Sequence, residues 1–267
     1  MKKEFVSLIF VFVVVGLLGS AALALDPLGP PVAGCKQDQF SAGFEFAIGD
    51  MDLEVSGPGI STANNNDAVI KDADSRKYFA RIGYGISDDW EIFTRLGVTD
   101  IEFEADASSS QDFDSDHEFA FGVGTKKTFV DNGDVKWGAI FQFSWAEVDD
   151  KFSNQDISFA NGAIAPYYGV NKVELEWYEI QLALGPQWMV DEGIYLYGGP
   201  FLHFLEGDLD VETGSYESRY EYELEQESEF GGFVGCLVEI DPHIVANVEG
   251  QIMSDAWLLA VGVNWLF

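Results

Sequence analysis

The chain is short of cysteine, of basic residues and of long apolar runs, and each shortage closes off a class of protein. Two cysteines, Cys35 and Cys236, in 267 residues make no disulfide framework. Cys35 precedes the first expected strand and Cys236 falls mid-strand on an outward phase. Two isolated thiols are therefore expected, although an oxidising compartment would permit a bridge. Lys and Arg number 14 against 46 Asp and Glu, a formal charge of −32. So acidic a chain does not bind nucleic acid by neutralising phosphates. Nor does it approach an anionic membrane surface without a bridging cation. Beyond residue 24 no stretch of about 20 apolar residues remains, so no spanning helix is available. Aromatics, at 15%, and 28 glycines are plentiful, a composition foreign to acidic disordered chains.

The two ends carry the sharpest patterns. Lys2 and Lys3 precede an apolar run from Phe5 to Leu18, and Ala22-Leu23-Ala24 is a small-x-small cleavage site. This reads as a secretory signal peptide over 1–24. Its removal takes Lys2, Lys3 and Glu4 together, and moves the charge from −32 to −33. Val32-Ala33-Gly34-Cys35 looks like the box before a lipidated cysteine, but Asp26, Pro27, Pro30 and Pro31 separate it from the apolar core. Residues 25–38 read as a loose Pro-rich leader, and 39–267 as one all-β domain. At the other end Trp257, Leu259, Val261, Val263, Trp265 and Phe267 alternate with Leu258, Ala260, Gly262, Asn264 and Leu266. Alternate strand residues face opposite ways, so this strand has one wall of large apolar groups. A soluble protein rarely ends on such an edge, whereas a barrel closed in a bilayer needs that wall.

Ten β-type stretches are expected, at about 39–51, 76–87, 90–103, 117–130, 134–148, 174–190, 193–211, 221–240, 243–253 and 257–267. Short turns at Ser87-Asp88-Asp89, Asp131-Asn132-Gly133, Asp191-Glu192 and Asp241-Pro242 alternate with long polar stretches. The latter are 52–75 with Asn64-Asn65-Asn66, 104–116 with Ser108-Ser109-Ser110, 149–173 and 212–220. Ser254-Asp255-Ala256 breaks that rule by being short. Phe40, Phe44 and Phe46 alternate with Ser41, Gly43 and Glu45, and Trp137, Phe141 and Phe143 with Gly138, Gln142 and Ser144. The bulk lies on one phase and Gly, Ala and polar groups on the other. Lipid outside and a polar lumen follow; a water-soluble barrel would invert this. The 193–211 stretch loads both phases.

The cleavable signal, the alternating strands and the aromatic last strand ending in Phe267 resemble small outer-membrane β-barrel proteins, the opacity-protein and porin-like group. Asp88-Asp89-Trp90-Glu91-Ile92-Phe93-Thr94-Arg95-Leu96-Gly97 is similar to that group's turn-and-strand repeat. The resemblance spans about 38–267. It implies a closed antiparallel up-and-down transmembrane barrel, of ten strands or alternatively eight. It also implies an outer-membrane lipid setting, a monomer, and recognition of the last strand by the barrel-assembly machinery through Val261, Val263, Trp265 and Phe267.

Glu45, Arg81, Arg95, Lys136, Glu179, Glu239 and Glu249 fall on inward phases, where single charges are costly unless paired. They read as an ion-paired plug, or else as a narrow conduit with those pairs in its path. Ten strands leave little open space, so low or absent conductance is expected. Acidic stripes recur at Glu206, Asp208, Asp210 and Glu212, at Glu221, Glu223, Glu225, Glu227 and Glu229, and at Asp100, Glu102, Glu104 and Asp106. They read as a solvated rim, or as a holder of Ca²⁺ or Mg²⁺, though no spacing matches a calcium loop. No other cofactor is indicated. Omptin proteases, also ten-stranded, use Asp–Asp and His–Asp pairs at the rim. Here only His117, His203 and His243 exist, with no matching motif, so no enzyme is expected. The expected role is structural or interactive at the cell surface. A small selective channel is the first alternative, and a secreted soluble ligand-binding barrel the second.

Overall fold

The computed structural model describes residues 25–57, 68–104, 112–157, 167–214 and 218–267. The signal-like segment 1–24, the Asn64–Asn66 and Ser108–Ser110 runs and Asp106 lie outside the described residues. Among those described, every regular element is a strand: β1 (Phe40–Ser56), β2 (Ala68–Ser87), β3 (Trp90–Phe103), β4 (Phe113–Asp114), β5 (Glu118–Asp131), β6 (Val135–Ile157), β7 (Tyr167–Asp191), β8 (Ile194–Thr213), β9 (Ser218–Gln226), β10 (Phe230–Asp241), β11 (Ile244–Ile252) and β12 (Ala256–Leu266). All pairings are antiparallel, and the ring runs β1-β2-β3-β5-β6-β7-β8-β10-β11-β12 and back to β1. This is the ten-strand ring that the alternation predicts. The stretch 221–240 is divided into β9 and β10, and the two-residue β4 is added on β3.

β1, β2, β6 and β7 are longer than expected, and the long stretches 52–75 and 149–173 correspondingly shorter. β6 has 23 residues and β7 has 25, where about 9–11 cross a bilayer. The excess builds a second tier with inverted polarity. In the lower tier, Phe44, Phe141, Leu182 and Trp265 face outward, each between 44% and 50% exposed. In the upper tier the buried, inward groups are apolar: Leu53, Val55, Ile70, Phe103, Val148, Val173, Leu209, Val211 and Leu224. Their sequence neighbours, Glu174, Glu176, Asp208 and Glu223, turn outward. One fold thus wears its apolar groups outside at lipid height and inside above it, because the medium around it changes.

The boundary is marked by aromatics. Trp145 Nε1 donates to Glu176 at 2.9 Å, Trp257 Nε1 donates to Asp50 at 2.6 Å, and the Tyr178 hydroxyl donates to Glu206. Each ring lies along the apolar belt with its polar tip on the acidic tier, the habit of interfacial Trp and Tyr. The short connection Ser254-Asp255 has its reason here too. β11 and β12 are only 9 and 11 residues long, and above them β9 pairs directly with β1 from Leu53 to Ser56. The hairpin tip is tucked under that seam, where Asp255 accepts from Ser228 N at 2.8 Å and from Asp52 N at 2.9 Å. The double-loaded 193–211 stretch also resolves: Tyr197, Phe201 and His203 turn inward and are buried, while Leu196 and Leu202 face out.

Candidate functional site

Among the described residues, the lumen of the lower tier is where charge is buried in quantity, and it is not empty. Residues 25–37 enter from the turn end and thread up the axis. Leu25, Asp26, Leu28, Val32 and Cys35 are all nearly or fully buried. The Pro-rich leader is therefore a packed plug, not the loose segment expected. Its backbone supplies what the wall lacks. Leu28 N donates to Glu249, Ala33 N to Thr128 and Gly34 N to Glu91, at 2.9, 3.0 and 2.7 Å. In return Arg95 and Gln142 donate to Pro27 O, and Lys126 Nζ to Pro30 O at 2.9 Å. Two wall glycines are shaped for it. A Cβ at Gly85 would lie 1.9 Å from Lys36 O, and one at Gly138 2.2 Å from Pro31 O, approaches no side chain tolerates.

Ion pairs surround this segment in layers. Near the turn end, Arg81 meets Glu91 at 2.5 Å and Glu45 at 3.6 Å. Above it Arg95 meets Glu45 at 2.6 Å and Asp26 at 3.9 Å. Higher still Lys77 bridges Asp26 at 2.9 Å and Glu179 at 2.6 Å, and His203 lies 3.2 Å from Glu179. The Phe93 ring lies beneath the guanidinium groups of Arg81 and Arg95, at 4.4 and 5.0 Å, adding cation–π contact. Burial of these charges is tolerable because they are paired and hydrogen-bonded.

Of the seven inward charges expected, Glu45, Arg81, Arg95, Glu179 and Glu249 line the filled lumen. Lys136 and Glu239 do not. Both keep the inward phase, but they stand at strand ends beside the turns, where the barrel opens to water. Lys136 pairs with Asp131 at 3.0 Å, and Glu239, exposed, accepts from the Tyr195 hydroxyl at 3.1 Å. Lys77, Glu91 and Lys126 were missed, although the same alternation on β2, β3 and β5 marks them as inward. Asp26 had no such signal, since irregular Pro-rich backbone has no period to read. Cys35 is inside the wall and Cys236 on its outer phase; both are free.

The acidic stripes lie on the outer face of the upper tier and line up across strands. One row reads Glu223, Asp208, Glu176 and Glu147 over β9, β8, β7 and β6. Another reads Asp50, Asp74, Glu102 and Asp114 over β1 to β4. Arg219 relieves part of the charge, binding Asp210 and standing 3.8 Å from Glu174. In the second row, partial burial and then the neighbouring Glu102 and Asp50 push the Asp74 carboxyl up to about 6. Glu206, Asp208, Glu223 and Glu225 border a surface groove of about 380 Å³ that Trp145 and Tyr178 also line. Glu212 and Glu227 are exposed. Among the described residues no three His, Cys, Asp or Glu side chains converge as a metal would need.

The three histidines do not share a site. His117 lies on the outer face, 3.3 Å from Asp100 and stacked on Tyr78. His203 is fully buried in the lumen, away from the rim. His243 occupies the turn after β10, with Nδ1 3.2 Å from Leu266 O.

No protein-family model matches the chain, and no curated protein matches it. Solved structures do. The outer membrane protease OmpT of Escherichia coli aligns with a TM-score of 0.52 at 11% identity, covering 91% of this chain and 99% of that one. OprG of Pseudomonas aeruginosa follows at 0.46 and 10%, covering 88% and 98%. Ail of Yersinia pestis aligns at 0.37 and 12%, covering 86% and 99%. At such identities the likeness speaks of the fold alone. The chain has the fold of small outer-membrane β-barrel proteins.

Proposed function

We propose that this chain is a sealed outer-membrane barrel that acts through its outer faces, as a structural or surface-interaction protein. One observation carries the reading: the axis is filled along its length, by the leader and ion pairs below and by a dry apolar core above. Nothing can pass such a lumen without unpacking Leu53, Phe103, Val173 and Leu209, all at most 2% exposed. The narrow-channel alternative thus loses its path. The soluble-barrel alternative is disfavoured by the apolar outer belt. Protease chemistry, known for OmpT by its name, gains no support: the His117–Asp100 pair stands on the outer face against Tyr78, and His203 is sealed in the lumen beside Glu179.

The same reading covers biogenesis and surroundings. Segment 1–24 directs export and is cleaved after Ala24, and the assembly machinery reads Val261, Val263 and Trp265, which face outward on β12, together with the terminal Phe267. Lipidation at Cys35 is not part of it, since that processing would discard residues 25–34, which fill the lumen. No resident metal or cofactor is assigned; the acidic tier offers a broad anionic surface to cationic partners. Planar-bilayer recording tests the core of the proposal. The protein is expected to give no steady conductance, and neutralising Arg81 or Arg95 is expected to open none, because the apolar core still blocks the axis. Stepwise channels in either case would overturn it.

A further inference from the structure

The lumen contains one charge that its ion pairs do not account for. Among the described residues, Asp26, Glu45, Glu91, Glu179 and Glu249 turn buried carboxyls inward, against two lysines and two arginines, Lys77, Lys126, Arg81 and Arg95, with His203 set beside Glu179. Asp26, Glu45, Glu91 and Glu179 each lie within 4 Å of a Lys or Arg nitrogen. Glu249, on β11 and 1% exposed, has no such neighbour among the described residues. An unpaired buried carboxylate is among the costliest groups a fold can hold, so the neutral acid is the form this site favours.

The hydrogen bonds agree. Both donors that reach Glu249 converge on one oxygen: Leu28 N at 2.9 Å and Gln251 Nε2 at 2.9 Å, both onto Oε1. Oε2 is buried and accepts from no backbone or amide donor; the Tyr197 hydroxyl of β8 is the one polar group among the described residues left to meet the carboxyl. Two obligate N–H donors on one oxygen, with only a hydroxyl that can accept as well as donate beside the carboxyl, suit a carbonyl next to an acid O–H. The groups facing it complete the picture. From β8, Tyr197 is buried, with its hydroxyl 3.4 Å from Val248 O and 3.3 Å from Asn247 Nδ2. From β7, Gln181 donates to Gln251 at 3.3 Å. From the leader, Asp26 O accepts from Gln251, while its carboxylate is held by Lys77 and Arg95. On β10 the Cys236 thiol is on the outer phase. Across the lumen on β5, Lys126 is committed to Pro30 O.

We propose that Glu249 is a proton-operated latch on the leader. As a neutral acid it holds Leu28 and keeps the plug seated; on ionisation it places a lone charge against the leader's buried backbone and loosens the plug. The sign follows from linkage: a seated state that binds the proton more tightly is favoured at low pH, and its advantage fades as pH rises. The inference does not depend on what the outer face binds.

The test uses the full barrel in micelles, with maleimide labelling of Cys35 in the plug and Cys236 on the wall as internal control. Wild type and E249Q, which mimics the neutral acid, are compared from about pH 5 to about pH 9. Taking the ratio of the two proteins cancels the thiol's own ionisation. Equal Cys35 rates at the acid end, with wild type at least about tenfold faster at the alkaline end (the change expected per pH unit of ionisation), support the latch. Parallel profiles across the range overturn it. So does faster labelling of E249Q at neutral pH, the result if Glu249 is an ion served by Arg95 through the glutamines or by an α-ammonium freed at Leu25. Should E249Q not fold, infrared spectroscopy of wild type decides. A protonated-carboxyl band persisting near pH 8, where ordinary carboxyls are ionised, supports the proposal, and its absence overturns it.

Discussion

Lys77 is the residue on which the upper end of the lumen network turns. It holds Asp26 of the leader and Glu179 of β7 with one ammonium group. Replacing it with methionine keeps much of its volume but strands two carboxylates with little solvent. K77M is expected to lose about 3–5 kcal/mol, the cost of breaking a buried pair from one side. Denaturant unfolding in micelles measures it, and a double variant with Glu179→Gln should recover part of the loss. Asp74 makes a prediction of the opposite kind, on the water side. Its carboxyl is pushed up to about 6, above its value in an unfolded chain, so the folded tier binds that proton more tightly. Asp74 therefore contributes stability at acid pH, and that contribution is lost as pH rises through about 6. D74N should flatten this step in a plot of thermal midpoint against pH.

At the scale of elements, β12 closes the ring against β1 over eleven paired positions, from Ser41–Leu266 to Met51–Ala256. Phe267 adds one more bond, from its N to Phe40 O at 2.8 Å, and its ring is 74% exposed. Packing therefore gives Phe267 little to do in the finished barrel. Deleting it is expected to leave the unfolding midpoint of refolded protein within about 0.5 kcal/mol, the range for exposed sites. The same deletion should sharply lower the heat-modifiable fraction recovered from cell envelopes. A large stability loss without an assembly defect would refute the reading of this strand as an assembly signal. The strand ends carry a second lesson. Lys136 and Glu239 have the right phase but the wrong height, and alternation tells which face a residue takes without telling where the lumen ends.

For the whole molecule, the two tiers ask different things of the solvent. The upper tier carries aligned rows of carboxylates on its outer face, with like charges opposite one another on neighbouring strands, a destabilising arrangement. Such repulsion between exposed groups is screened by salt. Raising ionic strength from about 0.01 M to about 0.15 M, which shortens the screening length from about 30 Å to about 8 Å, should raise the thermal midpoint. Since no three described carboxylates converge on a point, calcium at matched ionic strength is expected to add nothing; a further shift would reveal a discrete site. The period-two pattern by itself determined the ten-strand ring, the outward Phe44, Phe141 and Trp265, and the inward Glu45, Arg81 and Arg95. Each follows from the one local rule that neighbouring side chains on a strand oppose. Only the tertiary structure decided that the leader fills the lumen, that Asp26 joins Lys77 to Arg95, and that the walls continue above the lipid with their polarity reversed. Those outcomes depend on which groups meet across a closed cylinder and on the medium at each height, neither of which is a property of adjacent residues.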